Sequence, residues 1–413
     1  MTFMRQVKFA LAASLLLGAI GTRAEARWVT SWAASPIPPG PKAASFSNQT
    51  LRQRVRLSAG GQALRVRFTN AFGASPLAIG AARVVLLDAA GNEIAGSRRA
   101  LKFGGTPTAT IPRGAPLLSD PVKLSVPPLA RMAISLYLPG DTGPCTCHNT
   151  ALDDTQVSAA GDFTAGPFQP ASSIKDRAFL AAVEVDAPGG AATVVTLGDS
   201  ITNGSGSTSG ANRRWPDRLA ERLASQHARV WGVANEGIGG NRVLGDVTGE
   251  SALTRLDRDV LSHPNVKVLI LFEGINDIGR SYGHNQTPEA IEAQRTLQGR
   301  LTDPAQMIAA YKQIIERAHQ HGILVFGATI APFKGAGYFS TEGDAARQEI
   351  NRFIRTSGAF DAVLDFDKVF ADPADPDSMR PAFHAGDHLH GSDAGYEAVA
   401  NSIDLSLFKR ASR

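Results

Sequence analysis

Cysteine is nearly absent: the 413-residue chain has two, Cys145 and Cys147. They form no C-x-x-C pair, which leaves a structural zinc site or a thioredoxin-like motif unsupported. Alternate residues of a strand sit near the upper distance limit for S–S bonding, so the spacing predicts two buried thiols rather than a bridge. Long apolar runs are missing too. The best candidate, Phe9 to Ile20, is too short to cross a ~30 Å hydrocarbon layer as a helix. It follows Arg5 and Lys8 and precedes Ala24-Glu25-Ala26, the arrangement of a signal peptide over residues 1–26. Export to the periplasm or the exterior, without stable membrane insertion, is the expectation. Charge of one sign is also scarce. A formal net of +4 speaks against a nucleic-acid partner, and 43% hydrophobic residues exclude a disordered chain.

What is present changes character near residue 190. Leu64 to Thr69 alternates apolar and polar residues, as does Val55 to Ser58, with Ala59-Gly60-Gly61 between them; the pattern predicts two half-buried strands joined as a hairpin. Further apolar runs at 82–87, 122–126, 132–138 and 179–185 are separated by Gly, Pro and Asp. Many short strands without helical periods predict an all-β sandwich over residues 27–188. This part carries 16 Lys and Arg against 10 Asp and Glu, whereas residues 191–413 carry 23 against 27. The basic half reads mainly as a solvated face.

After Pro188-Gly189-Gly190 the texture becomes α/β. Strands are expected at 192–197, 230–234, 266–272, 323–330 and 362–366. Helices are expected at 215–225, 304–319 and 349–354, with a last one capped by Asp393. Continuous apolar strands alternating with helices predict a mostly parallel sheet in a three-layer α/β/α sandwich over residues 191–413.

In such a sheet, ligands bind beyond the carboxyl ends of the strands. Four clusters fall there: Gly198-Asp199-Ser200, Asn235 through Gly240, Gly274-Ile275-Asn276-Asp277, and Asp387-His388-Leu389-His390. Ser200 follows an apolar strand at a Gly-marked turn. A serine hydroxyl is a weak nucleophile until a neighbouring base takes its proton; His390 is the candidate base, and Asp387 the group that fixes its tautomer. The N–H groups of Ser200 and Gly240 and the Asn276 amide are candidate oxyanion donors. Asp199 and Asp277 read as loop braces.

In order and placement, these blocks resemble the SGNH (GDSL-type) hydrolase family. The match runs through Leu197-Gly198-Asp199-Ser200-Ile201-Thr202, Asn235–Gly240, Glu273-Gly274-Ile275-Asn276-Asp277 and Asp387–His390. The resemblance implies Ser200 as nucleophile, His390 as base with Asp387 as its partner, and an oxyanion hole from Ser200, Gly240 and Asn276. Gly239 stands beside Gly240 as an alternative donor. No cofactor or metal is implied. Arg214-Trp215-Pro216-Asp217, Gly327–Phe333 and Trp28–Ala33 are similar to exported, acetylxylan-esterase-like members with an N-terminal β domain. That likeness implies a short acyl group on a carbohydrate or small polar ester, a small-molecule or polysaccharide substrate.

Rival patterns are weaker. Gly279-Arg280-Ser281-Tyr282-Gly283 fits G-x-S-x-G, yet Ser281 stands too far past its strand for a nucleophile elbow. His384, Asp387, His388, His390 and Asp393 match no common zinc spacing. Glu273 and Asp365 as a glycosidase pair leave Ser200, Asn276 and His390 without a role, and a non-catalytic sugar binder leaves all four blocks so. His227, His263, His319 and His321 read as surface residues. A polar insertion at 279–303 disfavours a lipase or lysophospholipase channel. Lipid esters, aryl esters and acyl transfer to a sugar remain the alternatives, and the oligomeric state is left open.

Overall fold

The computed structural model describes residues 27–226, 229–283 and 303–410. The proposed signal peptide, His227 and most of the 279–303 insertion lie outside the described residues.

Residues 27–187 form two large antiparallel sheets face to face and two further two-stranded ones. One runs in the order Arg27–Ala33, Leu180–Ala187, Gly61–Thr69, with Pro116–Leu118 and Val122–Val126 both paired to the last. The other orders Pro170–Ile174, Thr155–Ala160, Gln49–Arg56, Arg131–Leu138, Ala81–Leu87 and Arg99–Ala100. Inward side chains such as Leu51, Val55, Leu64, Val66, Ile134, Leu136, Val183 and Val185 share one core, which is what period-two strands with one apolar face require.

The expected hairpin does not form: Gln49–Arg56 and Gly61–Thr69 lie in different sheets. After Arg56 the chain crosses the sandwich, with Leu57 N–H donating to Ala130 O and Ser58 N–H to Ser31 O. Two strands that face one core alternate identically whether they pair or cross, so the pattern could not distinguish the cases. The two-thiol expectation also fails. Cys145 and Cys147 form a disulfide across a Cα–Cα distance of 5.4 Å. The strand begins only at Cys147, so Thr146 between the two cysteines is not held extended, and the span falls below the about 6.6–7 Å of extended chain.

From Ala192 the sheet is wholly parallel, ordered Trp231–Gly237, Ala192–Gly198, Val266–Phe272, Leu324–Ala328, Ala362–Leu364. Two helix groups flank it. Trp215–Ala224 and Asp393–Ser402 pack together, and Pro304–Gln320 packs with Thr341–Thr356. The helix Thr341–Thr356 is longer than its apolar segment suggested, and Ile275–Tyr282 is a helix beyond those expected. This is the expected α/β architecture preceded by an all-β region.

The two parts meet along the Arg27–Ala33 strand, which packs against the sheet-edge strand Trp231–Gly237. Thr30 N–H donates to Thr193 Oγ1 at 3.0 Å, Val233 N–H to Ser58 Oγ at 2.8 Å, and Arg56 pairs with Glu221 at 2.7 Å. Gly232 makes the contact possible, since a Cβ there would lie 2.0 Å from Thr30 O. Gly232→Ala is expected to destabilise the whole chain by about 1–3 kcal/mol of overpacking, read as a lower melting temperature. An unchanged thermal transition would mean that the two strands are not in contact.

Candidate functional site

The segment that carries Ser200 is built in three successive steps along the chain. Ala192–Gly198 is buried from end to end. Asp199 leaves it in an extended conformation and caps the next turn, its Oδ1 accepting from Ile201 N–H at 2.8 Å. Ser200–Asn203 is then a single helical turn, closed by Gly204 in the left-handed region. Ser200 thus stands where the sheet ends, 8% exposed.

His390 and Asp387 arrive on a loop that Asp387 itself organises. Its Oδ1 accepts from the N–H groups of Leu389 (3.0 Å) and His390 (2.9 Å), and its Oδ2 lies 2.6 Å from His390 Nδ1. His390 Nε2 lies 2.8 Å from Ser200 Oγ. The three residues therefore form one hydrogen-bonded line. Burial alone would raise the Asp387 carboxyl, but the hydrogen bonds from His390 outweigh it and hold Asp387 below the usual range.

The helix Asp393–Ser402 is capped by Ser392, whose Oγ accepts from Gly395 N–H, rather than by Asp393 as expected. Asp393 instead ties this loop to the loop that follows Ser200, accepting from Thr208 N–H at 2.8 Å, Thr208 Oγ1 at 2.7 Å and Arg213 at 2.9 Å. Tyr396 OH adds a bond to Ser205 O at 2.5 Å. These contacts fix the distance between His390 and Ser200 from behind.

The second and third blocks close on the same place. Ile238 N–H donates to Gly198 O, and Asn235 Nδ2 to Thr202 O at 2.9 Å. Gly237 lets the Ser200–Asn203 turn approach, because a Cβ there would lie 2.2 Å from Asn203 N. Gly240 follows in the left-handed region at φ 76°. Asn276, at the start of its helix, donates Nδ2–H to the carbonyl of Asn241 at 3.0 Å, which sets the third block beside the Gly240 turn. Asp277 braces that turn, accepting from Val243 N–H at 2.8 Å and Leu244 N–H at 3.2 Å.

Beneath these loops lies a buried charged layer that sequence patterning did not show. Arg255 has no exposed side-chain surface. It donates to Gly198 O (3.0 Å), Glu236 O (2.6 Å), Asn241 Oδ1 (3.0 Å), Ser35 Oγ (3.0 Å) and Asp259 (3.0 Å). Its neighbours Asp257, Arg258 and Asp259 make the stretch look like a solvated helix face. The available signal was Ala252, Leu256 and Val260 at i, i+4 and i+8, the face on which Arg255 and Asp259 fall at i+3 and i+7. His263, expected on the surface, is also buried. Its Nδ1 lies 2.9 Å from Thr30 Oγ1 and its Nε2 2.7 Å from Glu236 Oε1, so it joins the β region to the end of a parallel strand.

The rival residues are placed elsewhere. Ser281 is inside the Ile275–Tyr282 helix and buried, not at a strand-to-helix elbow. Glu273 is wholly buried. Asp365 is tied to Arg355 and Lys368, whose hydrogen bonds outweigh burial and hold it down to about 2. His384 and His388 stack on each other at 4.2 Å. Among the described residues, no three metal-ligating side chains gather to hold a metal ion.

Burial dominates the remaining electrostatics. It raises Glu273 well above its ordinary range, with the Asp199 charge adding to the effect, and it raises Asp199 in turn. Asp277 is pushed up to about 6 by burial, against the Val243 and Leu244 N–H groups. Since that value exceeds the ordinary 3.8, the folded chain holds the proton that the unfolded chain releases. The stability so gained is complete below about pH 4 and is lost as pH rises through about 6. Asp277→Asn is therefore expected to flatten the fall in melting temperature between about pH 4 and 7. Parallel curves for the variant and the parent would contradict this.

Residues 196–398 match the GDSL-like lipase/acylhydrolase family. No curated protein matches the chain. Among solved structures, an acetyl xylan esterase, AlAXEase, is 23% identical, covering 51% of this chain and 96% of its own at a TM-score of 0.37. A variant acetyl xylan esterase from Geobacillus stearothermophilus is 20% identical over 54% and 94%, TM-score 0.39. A GDSL-like lipase from Bacteroides thetaiotaomicron is 15% identical over 53% and 88%, TM-score 0.37.

Proposed function

With residues 196–398 forming a GDSL-like lipase/acylhydrolase domain, the chain is a carboxylic ester hydrolase, and we propose that it works through an acyl-enzyme on Ser200. The observation that carries this reading is the line Ser200 Oγ–His390 Nε2–His390 Nδ1–Asp387 Oδ2, with spacings of 2.8 and 2.6 Å. His390 takes the Ser200 proton as Oγ attacks the ester carbonyl carbon. Asp387 keeps the imidazole in the right tautomer and balances the imidazolium that forms. The tetrahedral oxyanion is met by the N–H groups of Ser200 and Gly240 and by the Asn276 amide. His390 then protonates the leaving alcohol, and a water, deprotonated by the same imidazole, releases the acid and restores Ser200.

Ser200→Ala is expected to lower turnover of p-nitrophenyl acetate about 10³-fold or more while the fold is kept. Asp387→Asn should cost kcat more than KM, because the tautomer is mis-set. Ser281→Ala should leave the rate unchanged. Loss of turnover in Ser281→Ala, with Ser200→Ala still active, would overturn the assignment.

The substrate we propose is a short acyl ester of a carbohydrate or another polar alcohol. The side chains around His390 support it: His384, Asp387 and His388 are polar, and Asp387 is about half exposed. In the wider proposal, residues 1–26 are an export signal, 27–188 an accessory β domain and 191–413 the catalytic domain, in a periplasmic or extracellular protein. Among the described residues no helix is long and apolar enough to cross a membrane. An acyl series from acetate to palmitate is expected to peak at the shortest chains, with acetate released from acetylated xylan. A maximum at decanoate or longer without acetate release would favour the lipase reading, and ester formation with an added sugar would favour acyl transfer.

A further inference from the structure

We propose that His148, in the β region, is a positioning residue for Ser200, acting through Asn203; the inference rests on Ser200 being the nucleophile. Ser200–Asn203 is one helical turn, too short to hold its own geometry, since a first turn fixes several dihedrals for a single hydrogen bond. Its far end must be held by something else. The backbone of Asn203 closes the turn onto Asp199 O at 2.8 Å. Its side chain, 2% exposed, leaves the α/β part altogether. Asn203 Oδ1 lies 3.0 Å from His148 Nε2, and Asn203 Nδ2 donates to Thr150 O at 3.1 Å.

His148 is itself anchored. Its Nδ1 lies 2.9 Å from Ser35 O, and Ser35 Oγ is bonded to Glu236 and Arg255 beneath the site. It directly follows Cys147, which is bridged to Cys145 and accepts from Ile37 N–H at 2.8 Å. Burial, with the charges of Arg214 and Arg177, pushes the His148 pKa down to about 4, so the ring is neutral near pH 7 and has one N–H. If Nε2 carries it, Nε2–H donates to Asn203 Oδ1. If Nδ1 carries it for Ser35 O, Asn203 turns its amide and donates to Nε2. Either tautomer keeps the His148–Asn203 bond, and the bond that changes is to Ser35 or Thr150. A displacement of about 1 Å in the nucleophile costs about 10²-fold in rate, so the link acts on kcat.

The test compares amides that replace one ring nitrogen each. Glutamine carries its side-chain nitrogen near the Nε2 position and reaches Asn203; asparagine reaches only the Nδ1 position and Ser35. On p-nitrophenyl acetate, His148→Asn and His148→Ala are expected to lose kcat about 10- to 100-fold with KM changed less than about twofold, and His148→Gln to recover to within about threefold of the parent. Asn203→Ala should match His148→Ala, and the double variant should lose little more. A purely structural anchor would leave His148→Asn as active as His148→Gln; that result, or a rise in KM at constant kcat, overturns the proposal. Should His148→Ala fail to fold, the Gln and Asn variants, with melting curves alongside, decide alone. Ser200→Ala is assayed in parallel: activity there would remove the nucleophile assignment, whereas an inactive Ser200→Ala with equal Gln and Asn variants would remove only the role of His148.

Discussion

The buried guanidinium of Arg255 is the constraint on which the site's loops depend. A fixed fork of five N–H donors has no water to turn to inside a protein, so every acceptor around it must be held in place. The acceptors are the carbonyl ending the strand before Ser200, the Glu236 carbonyl and Asn241 side chain on either side of Gly240, and Ser35 of the β region. Asp259 supplies the counter-charge at 3.0 Å, and Glu273 lies at 4.0 Å. The loop that presents Gly240 and the turn that presents Ser200 are thus bonded to the same cation.

The same layer explains why the β region is not a detachable neighbour. Thr30 meets His263 and Thr193, Ser35 meets Glu236 and Arg255, and His148 meets Asn203. Each is a polar group that would be left buried and unpaired were the two parts drawn apart, at about 1–3 kcal/mol per group. Burial leaves the carboxylates Asp199, Glu273 and Asp277 harder to ionise, so the layer beneath the strand ends carries less negative charge than its composition suggests. Asp387, partly open to solvent, is shifted the other way by His390.

Much of the catalytic half was legible because its signals are local. Apolar strands end in Gly-Asp-Ser, Asn-Glu-Gly and Gly-x-Asn-Asp turns, and one Asp-x-x-His stands at the far end of the chain. Each block carries its own geometry, and the alternation of strand and helix orders them. What could not be read depends on contacts distant in sequence. Period two does not say whether Gly61–Thr69 pairs with its predecessor or crosses to another sheet. The Cys145–Cys147 bridge depends on the backbone at Thr146, whose geometry the spacing does not state. Arg255 and His263 look like surface residues until the partners that bury them, up to 233 residues away, come together.

The account stands on Ser200 as the residue that is acylated. The most direct measurement is to inactivate the protein with a fluorophosphonate, digest it and locate the adduct by tandem mass spectrometry. A single adduct on Ser200, formed at a rate that collapses in His390→Ala, is the predicted result. An adduct on Ser281, or esterase activity that survives without any labelled serine, would contradict it.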